Sequence, residues 1–276
     1  MTALSIFLVS LIQGITEFLP VSSSGHLILL PSLTGLADQG QTADVAAHLG
    51  TLAAVMLYLR RDLTDMTISL LPRADAVQTA RRLAGLLILA SLPVIAVGLA
   101  VELAAPSLLR LAVTVAAANL VFAVWLFWAD RQPVKTTLHE GGTRFDWSRL
   151  TIRQALLIGL AQIFALIPGA SRSGVTMTMA RQLGLDRLSA ARFSLLLSIP
   201  VISGAAVVKL AGLISADTPP DIPALVAVIL LSFLFALAAI RWMMGWLAKA
   251  SFTIFVVYRL GLGAILLGLI AGGVIS

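Results

Sequence analysis

The sequence predicts an all-α, polytopic membrane protein, and three observations carry that expectation. Of 276 residues, 59% are hydrophobic and 12% charged, with a mean hydropathy of +1.00, far from the balance of soluble domains. Apolar runs of about 20 residues recur along the whole chain, so the membrane region is the protein and not an appended anchor. Two further apolar stretches are interrupted midway by proline and a cluster of polar residues, which a simple crossing would not contain.

Taken in order, residues 1–36 form the first interrupted stretch, broken at Pro20, and residues 44–59, 82–103 and 107–129 read as spans. Residues 151–187 form the second, broken at Pro168-Gly169, followed by spans at 188–214, 222–243 and 251–274. A proline removes a backbone donor and clashes with the preceding turn, so each broken stretch is expected to fold back as a re-entrant helix hairpin. The halves of each hairpin are too short for ~30 Å of hydrocarbon.

The expectation is one integral membrane domain over 1–276, with a first repeat at 1–129, a loop at 130–150 and a second repeat at 151–276. Placing Pro20 on Pro168 brings "ADVAAHLGTLAAV" from Ala43 into register with "ARFSLLLSIPVIS" from Ala191. Each half is then one hairpin plus three transmembrane helices. Three is odd, so the second half enters the membrane with inverted topology.

Charge placement gives the orientation. The loops at 60–82, 130–153, 181–192 and 241–259 hold 16 of the 19 Lys and Arg residues, leaving Arg110, Lys209 and Arg172 outside. By the positive-inside rule these loops are cytoplasmic, and both termini face away from the cytoplasm. The same rule accounts for the +6 net charge without nucleic acid as a partner. The first apolar stretch has no basic n-region or small-residue cleavage site and reads as mature chain. Cysteine is absent, which excludes disulfide and thiolate chemistry.

The polar clusters are where function is expected, because an ionisable side chain at membrane depth costs about 2.5 to 3.5 kcal/mol on insertion scales. In "QGITEFLPVSSSGH", Gln13 and Glu17 are four apart and share a helix face. Ser22, Ser23, Ser24 and Gly25 follow the break, where a new helix start would aim unpaired N–H groups into a pocket. His26 lies three residues after Ser23 and can exchange protons near neutral pH. In "PGASRSGVTMT", Gly169, Ser171, Arg172, Ser173 and Thr176 surround a second helix start, with the Arg172 fork suited to phosphate oxygens. Two such cradles, expected to face one another, would suit linked phosphates.

Blander readings stand beside these. "SSSG" can serve close helix approach, Glu17 can cap a helix, and Arg172 can act only as its counter-ion. His48 and Asp44 read as structural or supporting, His139 as part of a solvated loop, and Trp125, Trp128, Trp242, Trp246 and Tyr258 as interfacial belts.

The motifs "QGITEFLPVSSSGH" and "PGASRSGVT" closely resemble the two signatures of the bacterial undecaprenyl-diphosphatase family linked to bacitracin resistance: (Glu/Gln)-x-x-x-Glu with a Ser-rich tail, and Pro-Gly-x-Ser-Arg-Ser-x-x-Thr. The likeness extends over essentially the whole chain, including "HLGTLAAV". It implies hydrolysis of undecaprenyl diphosphate to the monophosphate in the bacterial inner membrane, which recycles the carrier lipid for cell-wall synthesis. Bacitracin acts on the same lipid. The resemblance also implies a divalent metal, Mg2+ or Ca2+, and assigns Glu17, Ser23, His26 and Arg172 as the principal functional residues. Gln13 occupies the first acidic position, where an amide is a weaker ligand than a carboxylate.

The nucleophile stays open between Ser23 with His26 as base, His26 itself, and metal-bound water. Residues of the N-terminal hairpin are expected to open toward the periplasm. The competing class is a transporter or flippase for a polyprenyl phosphate, since inverted repeats with broken helices also build carriers. A channel is disfavoured, because no ring of repeated charges appears. Oligomeric state and prenyl chain length are not written in the sequence.

Overall fold

Helices form where the apolar runs place them. The computed structural model describes residues 1–23, 25–27, 30, 40–70, 78–104, 111–138, 145–213 and 221–275. His139 and Arg110 lie outside these residues, as does Ser24 of the first cluster. Among the described residues there is no β-strand, only an isolated bridge between Thr136 and Leu185.

The elements are α1 (Ala3–Thr16), α2 (Gly40–Tyr58), α3 (Arg60–Ile68), α4 (Gln78–Ala104), α5 (Ala112–Asp130), α6 (Ile152–Ala161), a 3-10 turn (Gln162–Leu166), α7 (Arg172–Gln182), α8 (Arg187–Leu213), α9 (Ile222–Leu247) and α10 (Thr253–Ala271). Helices α4, α5, α8, α9 and α10 are long and apolar enough to cross a membrane, and α2 with α3 makes a sixth candidate bent by 74°. Six spans were expected. Exposed Ile88, Leu92, Val121, Leu230 and Leu234 present apolar side chains where a soluble protein would be polar. The chain is a polytopic, all-α membrane protein.

Both interrupted stretches break at the proline. Helix α1 has 14 residues and α7 has 11, so at 1.5 Å per residue they reach only about 21 Å and 16 Å. Each break carries a serine in the left-handed region, Ser22 at φ 71° and Ser171 at φ 69°. After each, the chain reads x-Ser-Gly, at 22–25 and at 171–174. This backbone match runs one residue out of step with the register set by Pro20 and Pro168, because the turn and not the proline sets the local geometry.

Close packing holds the broken stretches on the long helices. A Cβ at Gly14 of α1 would lie 2.6 Å from the Phe235 Cβ, and one at Gly50 of α2 would lie 2.3 Å from the Ile229 carbonyl oxygen, both on α9. Gly159 of α6 meets the Ala90 carbonyl oxygen of α4 at 2.2 Å in the same sense. Gly50→Ala is therefore expected to lose about 1 to 3 kcal/mol of stability, because a backbone carbonyl must move. Gly245→Ala, where a Cβ meets nothing within 4 Å, is the control and is expected to leave thermal stability in detergent unchanged or raised.

At the far end of α7 from its serine cap, a buried ion network closes the bundle. Asp130, at the end of α5, accepts from Arg187 Nε at 2.7 Å, from Arg181 Nε at 3.4 Å and from the Phe252 backbone N–H at 3.1 Å. Arg181 also donates to the Asp130 and Gln132 carbonyls at 2.9 and 2.8 Å and to the Leu185 carbonyl. Four elements, α5, α7, α8 and α10, meet at this one carboxylate.

Candidate functional site at the two broken helices

Glu17 follows the last turn of α1, its N–H still donating to the Gln13 carbonyl at 3.0 Å. The four-residue spacing brings the side chains together, and Gln13 Nε2 donates to Glu17 Oε2 at 2.8 Å. From the other broken stretch, Arg172 Nη2 donates to Glu17 Oε1 at 3.1 Å. The Arg172 and Glu17 side chains are only 13% and 9% exposed, so the pair is largely shielded from solvent. Arg172 lies at the first residue of α7, and its Nη1 has no hydrogen-bond partner among the described residues.

The two tips also touch directly. Ser173 Oγ donates to the Leu19 carbonyl at 2.9 Å, and Ser171 caps α7 by accepting the Gly174 N–H at 3.2 Å. Thr176 is fully buried, bonded to the Arg172 carbonyl at 3.0 Å and sharing a hydrogen with Ser194 at 2.6 Å. Gly169 has φ 96° and packs on α5, where a Cβ would meet the Val115 carbonyl oxygen at 2.2 Å. In this structure Ser173, Thr176 and Gly169 thus hold the second tip in shape. Ser22 is buried, whereas Ser23 and Ser171 are partly exposed.

Two imidazoles belong to or touch the first broken stretch, His26 and His48, and the same device fixes both. His26 Nδ1 donates to the Ser22 carbonyl at 2.7 Å, and His48 Nδ1 donates to the Asp44 carbonyl at 2.7 Å. A carbonyl only accepts, so in each neutral ring Nε2 carries the lone pair. For His48 that lone pair faces Gln13 Nε2 at 3.2 Å and lies 3.8 Å from Glu17 Oε2. For His26 it faces the Tyr258 hydroxyl at 2.5 Å. His48, expected to be supporting, is therefore in contact with the cluster. Its place on α2 and the short "AAHLG" signal gave no hint of which helix would face it.

Arg259 is a residue the sequence reading missed. Counted with a cytoplasmic loop by its position, it is instead fully buried on α10 beneath the second tip. Its Nη2 donates to the Gly169 and Ala170 carbonyls at 3.0 Å each, and its Nε donates to Asn119 Oδ1 at 2.9 Å. Asn119 returns a bond from Nδ2 to the Arg259 carbonyl at 2.8 Å. Among the described residues, no three His, Asp or Glu side chains group as a ready-made metal cage.

Fold and site together define a polytopic membrane protein whose two broken helices bring together a shielded carboxylate and a guanidinium, with the His48 imidazole in contact. The chain belongs to the family of bacitracin resistance protein BacA, whose model matches residues 6–265. It is 47% identical over 273 residues to an undecaprenyl-diphosphatase of Jannaschia sp., covering 97% of this chain and 98% of that one. A protein of the same name from Ruegeria pomeroyi is 46% identical over 274 residues, covering 98% and 99%. A third, from Alteromonas mediterranea, is 41% identical over 269 residues, covering 97% and 98%.

Proposed function

We propose that the chain is an undecaprenyl-diphosphate phosphatase, cleaving the terminal phosphate from the lipid diphosphate and returning undecaprenyl phosphate to cell-wall synthesis. The observation that carries the reading is the Arg172–Glu17 pair at 3.1 Å, formed between the two signature motifs. Phosphoryl transfer asks chiefly for positioning and charge neutralisation. Arg172, whose Nη1 has no partner among the described residues, and the backbone N–H groups opening α7 supply both. Ser23 and Ser171, both partly exposed, would donate to the same phosphates.

In the proposed step, Ser23 Oγ attacks the terminal phosphorus as the bond to the bridging oxygen breaks and undecaprenyl phosphate leaves. The Ser23 proton passes to His26 Nε2 once the Tyr258 hydroxyl, 2.5 Å from that nitrogen, turns aside. Water then cleaves the phosphoserine, yielding inorganic phosphate and restoring the serine. A divalent cation, Mg2+ or Ca2+, fits the donor set in part: Glu17 offers one carboxylate, and a half-turn of the Gln13 amide would offer its Oε1, with phosphate and water completing the shell. When bound, it would neutralise diphosphate charge.

The expected location is the bacterial inner membrane, with the site opening to the periplasm. With Arg259 removed from the loop set, 15 of the 19 Lys and Arg remain on the expected cytoplasmic side, so the charge argument keeps its force.

The test is phosphate release from a prenyl diphosphate by purified protein in detergent with Mg2+. Wild type is expected to release phosphate, and His26→Gln to lose about 10²- to 10⁴-fold in rate while still binding substrate. A carrier would release none, and near-normal turnover by His26→Gln would remove the imidazole from the chemistry.

A further inference from the structure

We infer that Tyr258 is a positioning residue for His26, its hydroxyl donating to Nε2 and holding the imidazole in one tautomer and one orientation. Because His26 Nδ1–H is committed to the Ser22 carbonyl at 2.7 Å, Nε2 of the neutral ring is an acceptor and the Tyr258 O–H must be the donor. The rings lie nearly parallel, 10° apart with centroids 5.6 Å from one another, so contact extends beyond the single bond.

The placement of Tyr258 is set by its own helix. A Cβ at Gly25, next to His26, would meet Leu262 Cδ2 at 3.2 Å and Leu266 Cδ1 at 3.8 Å, so α10 packs on the very turn that carries the imidazole. The neighbouring residue, Arg259, is anchored in the second tip by the Gly169 and Ala170 carbonyls. Successive helix residues point about 100° apart. With Arg259 fixed toward the second tip, Tyr258 is turned toward the first. An aromatic that reads as an interfacial belt residue in sequence therefore has a specific partner in the site.

The rate arm of the test rests on the phosphatase reading, and the spectroscopic arm does not. Histidine-selective 15N labelling gives three imidazoles, and His26→Gln removes the resonances to be assigned. In wild type, His26 is expected to show a protonated Nδ1 and a hydrogen-bonded imine Nε2. Tyr258→Phe keeps the ring and removes the hydroxyl, so the Nε2 resonance should move toward that of a free imine. The kcat should fall about tenfold with KM unchanged. An unshifted Nε2 resonance in Tyr258→Phe overturns the proposal. So does a Tyr258→Phe enzyme as fast as wild type beside a slow Tyr258→Leu enzyme, which would assign the effect to stacking. Should wild type release no phosphate, the phosphatase reading falls, and the nitrogen spectrum still decides Tyr258.

Discussion

Arg172→Leu is expected to lower kcat/KM for phosphate release by about 10³-fold, or roughly 4 kcal/mol of transition-state stabilisation, the scale seen when a phosphate-binding arginine is removed. The guanidinium opens α7, reaches the other broken helix at Glu17 and keeps Nη1 without a partner among the described residues. Leucine removes the charge and strands Glu17, 9% exposed, without its cation. Two effects are thus mixed in the single variant, and a cycle separates them. Glu17→Gln/Arg172→Leu removes both charges, so its thermal midpoint is expected to recover toward wild type, because no buried charge is left alone. Its activity is expected to stay lost. Arg172→Lys keeps the charge but not the planar fork and should fall between. If the double variant regained turnover, the pair would be scaffold and not chemistry.

Asp130→Ala is expected to give the largest loss of stability, about 3 to 5 kcal/mol, because it leaves buried cations without their carboxylate. Arg181 is 2% exposed and Asp130 is 8% exposed, and the same carboxylate also accepts from Arg187 and from the N–H that precedes α10. The control is Asp146→Ala, whose pair with Arg149 at 3.3 Å has side chains 49% and 51% exposed and is expected to matter by less than about 1 kcal/mol. Urea or thermal unfolding in detergent reads both. Arg181 lies nine residues beyond Arg172, roughly 13 Å along α7, so turnover per folded Asp130→Ala molecule should stay close to wild type.

Much of this was legible in the sequence, for identifiable reasons. Long apolar runs dictate spans, and a proline beside a run of polar residues marks both breaks, at Pro20 and Pro168, whereas Pro93 and Pro200, set in apolar runs, sit inside α4 and α8. Gln13 and Glu17 were placed together by local spacing, and the Glu17–Arg172 pairing followed from opposite charges at two broken tips. What could not be read were contacts set by how distant helices pack. His48, Tyr258, Arg259 and Asp130 each meet partners more than 30 residues away, with no local pattern to announce them. Ser173 and Thr176 show the converse. Their types suggested anion ligands, yet Ser173 bonds the Leu19 carbonyl and Thr176 bonds Ser194. The 74° bend between α2 and α3 was also hidden, because charged Arg60, Arg61 and Asp62 read as the loop after a span.

The grip of α10 on both tips limits how the molecule can work. A carrier that alternates access must let its halves part around the cargo. Parting here would pull the fully buried Arg259 off Asn119 of the first half, and would break the Ser173–Leu19 stitch as well. Such an anvil suits cutting a head group held between fixed tips better than passing it across the membrane.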